Sequence, residues 1–126
     1  MEIELFTLCD GAFNYNGRLT IIGTYDSILA SQFPWNIDLS FALKLFVPKG
    51  ESGEKTISLQ FLSQDGDSFA ANLQASVVVP ESESAGHIAL ATTIRGVSFP
   101  KPGSYLIRIF ENDRIMKEFP FDIMGK

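Results

Sequence analysis

Between Ile37 and Val47 an apolar side chain stands at every second position (Ile37, Leu39, Phe41, Leu43, Leu45, Val47), while Asp38, Ser40 and Lys44 take the other side. Successive side chains of an extended chain point to opposite faces, so this period of two predicts one long strand with a buried face and a polar one. Pro48 ends it, because proline has no N–H to give to a ladder. A strand with a single oily face is not stable alone. The rest of the chain must supply neighbouring strands and a facing layer.

The flanking segments answer that demand. Ile3 to Cys9 begins with Ile3 and Leu5 apolar and then shifts phase to Phe6 and Leu8, which predicts a bulge or a strand buried on both sides. Asn14-Tyr15-Asn16-Gly17 reads as a tight turn, and Arg18 to Tyr25 as the returning strand, with Gly23 marking a bulge or the close approach of another backbone. Asp26 to Trp35 has no sustained period and contains Phe33-Pro34, so it is expected to cross between sheets. Thr56 to Leu62 alternates, with Ile57, Leu59 and Phe61 inward. Asp65-Gly66 then predicts a hairpin into a strand over Ser68 to Val79. Pro80 to Gly86 is polar and is expected to be mobile, and Ile88 to Val97 resumes a strand. At the end, Tyr105 to Phe110, the turn Glu111-Asn112-Asp113-Arg114 and Ile115 to Ile123 form a closing hairpin, with Ile115, Phe119, Phe121 and Ile123 expected on one face. About eight strands separated by turn signals, with no amphipathic helical window, predict an all-β fold. The expected architecture is a single antiparallel sandwich of about seven to nine strands, Greek-key and immunoglobulin-like, formed by residues 1–126 as one domain.

Composition narrows the function classes. A chain of 126 residues is long enough for one core without staples. The net charge of -5, with ten dispersed Lys and Arg, argues against binding nucleic acid through its phosphates. The single cysteine, Cys9, forms no internal disulfide and suits a reducing compartment. Met1-Glu2-Ile3-Glu4 lacks the basic opening of a signal peptide, and no run approaches the roughly 20 apolar residues of a membrane helix. A cytoplasmic location away from the membrane is therefore expected.

Catalytic constellations are scarce. The one histidine, His87, sits beside an acidic loop and is expected to be an exposed residue at a strand start. Cys9 would need His87 beside it to act as a nucleophile, and a free cysteine more often packs as a small hydrophobe. Asp10 and Asp26 are the carboxylates that would serve an enzyme, facing one another across the first hairpin. Asp10 is more simply a residue that bonds nearby backbone. Asp65-Gly66-Asp67 has the acidic look of a calcium loop but is more simply the chemistry of a turn. No phosphate loop, zinc spacing or serine elbow is present. The expectation is a protein that is not an enzyme, with no cofactor and no metal.

Phe13, Tyr15, Phe33 and Trp35 gather at the two N-terminal connections, where they either plug the end of the sandwich or contact a partner. A sugar or small ligand could instead stack on a platform of Tyr15 and Trp35, and the strand Ile37 to Val47, if it lay at an edge, would pair with a second copy to give a homodimer.

Leu8-Cys9-Asp10 with Ala12, Gly17-Arg18-Leu19 leading to Ile22-Gly23, Phe33-Pro34, Val47-Pro48, Asp65-Gly66 and Pro102-Gly103-Ser104-Tyr105 before Phe119, Phe121 and Ile123 together resemble an uncharacterised bacterial family of small β-sandwich proteins. The resemblance spans nearly the whole chain. It implies a bacterial, cytoplasmic Greek-key sandwich and brings no catalytic residue with it. Pro-Gly-x-Tyr is also similar to a segment of immunoglobulin-like domains. The function expected is that of a non-catalytic interaction module holding a protein partner through its loops or an edge strand, with Phe13, Tyr15, Phe33 and Trp35 as contact residues.

Overall fold

The computed structural model describes residues 1–63, 73–79 and 85–126. Among these are nine strands and no helix: β1 (Glu2–Tyr15), β2 (Arg18–Tyr25), β3 (Ser27–Ala30), β4 (Trp35–Val47), β5 (Gly53–Leu62), β6 (Leu73–Val79), β7 (Gly86–Phe99), β8 (Gly103–Glu111) and β9 (Arg114–Gly125). The Gln64 to Asp67 turn, the start of the strand expected from Ser68, and the segment Pro80 to Ser84 lie outside the described residues.

The strands form two sheets, β2-β1-β4-β7 and β3-β9-β8-β5-β6. The chain changes sheet at β2–β3, β3–β4, β4–β5, β6–β7 and β7–β8. Every pairing is antiparallel except β3 with β9, where Ser27–Ala30 runs parallel to Asp122–Gly125. With β4 and β7 adjacent in one sheet and β5, β8 and β9 adjacent in the other, this is the B–E and C–F–G arrangement of an immunoglobulin-like sandwich. A tyrosine corner accompanies it: the Tyr105 hydroxyl, at the start of β8, donates to the Lys101 carbonyl four residues back. Burial pushes that phenol's pKa up, so it stays a donor.

The core lies where the two inner faces meet. Leu39, Phe41, Leu43 and Leu45 from β4 press on Ile57, Leu59 and Phe61 of β5, Tyr105, Ile107 and Ile109 of β8, and Phe121 and Ile123 of β9. Phe99 lies edge-on to Tyr105 and Phe121, with ring centroids 5.2 and 5.7 Å away. Such tilted pairs let the electropositive edge of one ring meet the face of another.

Three departures from simple alternation matter. In β1, Ile3 pairs with Leu45 but Leu5 with Lys44, so Glu4 is the extra residue of the expected bulge, which falls before Leu5 rather than after it and turns Leu5 away from the face of Ile3. In β9, Ile109 pairs with Lys117 but Phe110 with Ile115, leaving Met116 as the extra residue. That bulge turns Ile115 to the other side, where it is 48% exposed, so it does not share the buried face of Phe121 and Ile123. In the expected loop Asp26 to Trp35, the four residues of β3 are recruited to the edge of β9. Finally, β4 lies between β1 and β7 rather than at an edge, so it offers no unpaired backbone for a second copy.

Candidate functional site

The first hairpin does not stay in its sheet. β1 pairs with β4 only as far as Cys9 opposite Ser40, yet β1 and β2 remain paired to Tyr15 opposite Arg18. Beyond Cys9 the two-stranded ribbon folds across the outside of β4 and reaches β7, where Asn14 Nδ2 donates to the Ala89 carbonyl at 2.9 Å. This arm accounts for burial on the side of β4 that alternation assigns to solvent. Ala42 is fully buried, and Ser40 and Cys9 nearly so. Ser40 Oγ meets Thr93 Oγ1 at 2.8 Å, which satisfies the covered hydroxyl.

The turn at the tip follows from its residues. Asn16 and Gly17 both have positive φ, 52° and 81°, as a two-residue hairpin turn demands, and Asn14 Oδ1 accepts from the Gly17 N–H at 2.9 Å. The departure from the sheet is marked by Gly23, at φ 67°. A Cβ there would come within 2.2 Å of Asp10 Oδ2, so what approaches Gly23 is the Asp10 side chain rather than another backbone.

The ribbon has two faces. Ala12 with Ile21 and Asn14 with Leu19 are directly opposed pairs on one side; Gly11 with Ile22, Phe13 with Thr20, and Tyr15 with Arg18 are on the other. The first set includes the Asn14 contact to β7 and is largely half-buried. The second points away. There Phe13 is 61%, Tyr15 74% and Ile22 56% exposed. Isolated exposed apolar residues are ordinary, but three on one face of a two-stranded arm form a patch.

The four aromatic residues expected to act together are thus divided. Phe13 and Tyr15 stand on the outer face of the arm, while Phe33 and Trp35 are half-buried against the core. Trp35 pairs with Phe99 in the β4–β7 ladder, and its ring centroid lies 6.3 Å from that of Phe99. Asn14, next to Tyr15, reaches Ala89, which pairs with Lys44, so nine residues of ladder, roughly 30 Å at strand rise, separate the two ends. Tyr15 and Trp35 therefore do not make one stacking platform. Ile22 was not among the expected contacts; the adjacent pair Ile21-Ile22 signals a strand apolar on both faces.

One cleft adjoins the root of the arm and another lies on the other sheet. The first, of about 410 Å³, is bounded by Cys9, Asp10, Tyr25, Trp35 and Asp38. The second, about 490 Å³, lies over Ser58, Gln60, Phe110 and Asn112 on the outside of the second sheet. Asp10 and Asp26 do not converge: Asp10 borders the first of these, and Asp26 a smaller one with Phe6 and Phe119. Cys9 and His87 are also apart. Burial, and secondarily the charge of Asp10, pushes the Cys9 thiol up and away from a reactive thiolate. His87 Nε2 instead meets Glu4 Oε2 at 2.7 Å, beside the ring of Phe46. Among the described residues no three of His, Cys, Asp and Glu converge to hold a metal ion. No helix among them is long and apolar enough to cross a membrane.

Fold and surface define a class: an immunoglobulin-like β-sandwich whose first hairpin is laid over one sheet as an arm with an apolar outer face. Residues 4–124 match the model of a family of unknown function, DUF6941, and the chain belongs to that family. No curated protein matches it. It is similar in structure to part of the alkylpurine DNA glycosylase AlkC of Pseudomonas fluorescens, solved bound to DNA containing an abasic site analog, at 15% identity and a TM-score of 0.45. That likeness covers 98% of this chain and 30% of the glycosylase, so the chain spans less than a third of that enzyme. An immunoglobulin-like protein from Pseudomonas aeruginosa is similar at 15% identity and a TM-score of 0.43, over 97% of this chain and 94% of that one. Likeness of this degree carries neither activity nor partner from either protein.

Proposed function

We propose that this domain is a non-catalytic interaction module of the bacterial cytoplasm that holds a protein partner against the outer face of its β1–β2 arm. The observation that carries the reading is the joint exposure of Phe13, Tyr15 and Ile22 on one face of the ribbon. Aromatic side chains that give large contact area for little lost rotamer freedom are the usual anchors of protein interfaces. The ribbon beneath is braced by the Asn16-Gly17 turn and by Asn14 on Ala89, so the anchors are presented in a set arrangement rather than on a free loop. The lone thiol and the acidic balance of the chain support the compartment.

Site-directed photocrosslinking in the native host tests it. With p-benzoylphenylalanine in place of Tyr15, a discrete adduct with another protein forms on irradiation; with the same group in place of exposed Lys101 on a different corner, that adduct is missing. Adducts from position 101 and none from positions 13 and 15 would move the contact surface elsewhere.

A further inference from the structure

The cleft of about 410 Å³ beside the root of the arm is of the size that takes a small molecule, a class of site that spans about 300 to 1,000 Å³. It lies where the chain passes from β2 through β3 to the start of β4. Its apolar wall is made by Tyr25, Leu29, Trp35 and Ile37, and its charge by Asp10 and Asp38. Among the described residues no Lys, Arg or His lines it.

Asp38 is held by a backbone hydrogen bond, and Asp10 packs against the backbone. Asp10 lies over Gly23, in the space a side chain would fill, and Asp38 Oδ1 accepts from the Gly96 N–H at 2.9 Å. Neither has a cationic side chain as ion-pair partner among the described residues. The Tyr25 phenol is pushed up to about 12, by burial first and the charge of Asp10 second, so it remains a neutral ring whose hydroxyl donates. The cleft therefore combines two aromatic side chains with two carboxylates, and no cationic residue lines it.

We infer that this cleft binds an organic cation, an alkylated ammonium whose apolar substituents rest on Trp35 and Tyr25 while Asp10 and Asp38 balance its charge. Aromatic faces attract cations through the ring quadrupole, most strongly for tryptophan, and a weakly hydrated alkylammonium loses least on leaving water. A neutral ligand of the same shape would fill the wall and leave both carboxylates uncompensated. An anion would meet two like charges. The inference is independent of the protein contact assigned to the arm's outer face.

Trp35 is the only tryptophan of the chain, so its emission reports on this cleft alone. At fixed ionic strength, choline and tetramethylammonium should each give a saturable change in that emission. The neutral isostere 3,3-dimethyl-1-butanol should bind at least about tenfold more weakly, the share of affinity that the charge supplies. Asp10→Asn, an isosteric change at an exposed site, should raise the choline Kd about threefold or more while the melting temperature stays the same. Three results would overturn the inference: no saturable change up to about 100 mM choline, an equal response to the neutral isostere, or an Asp10→Asn protein that binds choline as the parent does.

Discussion

The molecule has two long hairpins built from similar material and put to opposite use. β8–β9 is stitched into the middle of its sheet, and its alternate residues Tyr105, Ile107, Ile109, Phe121 and Ile123 are all buried. β1–β2 is stitched in only as far as Cys9; its distal half leaves the ladder and carries Phe13, Tyr15 and Ile22 outward. Apolar alternation is thus a statement that a face will be covered by something. In the closing hairpin the cover is the opposite sheet, and in the opening one the outer face is left exposed. Stability should reside in the closing hairpin and recognition in the opening one.

The largest effect is expected in the closing hairpin. Ile107→Ala, at a side chain 1% exposed, should destabilise the fold by about 2 to 5 kcal/mol, through lost burial and the cavity left behind. Denaturant unfolding reads this as a lower midpoint with an unchanged slope. At the root of the arm, Gly23→Ala forces a Cβ onto a left-handed residue and against Asp10, at a cost of about 1 to 3 kcal/mol. In the double variant with Asp10→Ala, part of that loss should return, because the carboxylate no longer stands in the way. An equal loss with and without Asp10 would assign the whole effect to the backbone.

A smaller effect is expected beside the bulged start of β1. The Met1 ammonium meets Glu51 Oε2 at 2.8 Å and Glu111 Oε1 at 3.5 Å, and Glu51 also meets Lys55 Nζ at 3.4 Å. The hydrogen bond from that ammonium holds the Glu51 carboxyl below its ordinary pKa of 4.5. A carboxylate whose folded pKa is depressed contributes stability above its unfolded pKa and loses it as pH falls through the folded one. Glu51→Gln should therefore cost no more than about 1 kcal/mol at neutral pH, since the pair is partly solvated. The difference from the parent should close as the pH drops below about 4.5. Melting temperatures of the two proteins across pH 7 to about 3 measure it.

Much of this was legible in the sequence because a sheet has a period of two. The run from Ile37 marks β4, and the phase shift read after Leu5 announces a bulge that the register places at Glu4, before Leu5. Positions decided by tertiary contact were not legible. Ser40 reads as part of an outer face, and is buried because the arm lies over that side of β4. Ile115 continues the apolar alternation of β9, and is turned out by one extra residue, Met116, whose placement no local signal announces. Ser27–Ala30 is too short to show a period and is a strand only because the edge of β9 is there to receive it. For the aromatic residues, composition showed where they gather along the chain but not that the fold sends Phe13 and Tyr15 outward and Phe33 and Trp35 toward the core.

The contrast between the hairpins is tested most directly by quantitative affinity capture from the native host with the parent protein and with Phe13→Ser/Tyr15→Ser. Both side chains are mostly in solvent, so the double variant should melt within about 3 °C of the parent. The account predicts that a protein recovered with the parent falls about tenfold or more with the variant. Recovery of the same proteins in the same amounts with both would contradict it.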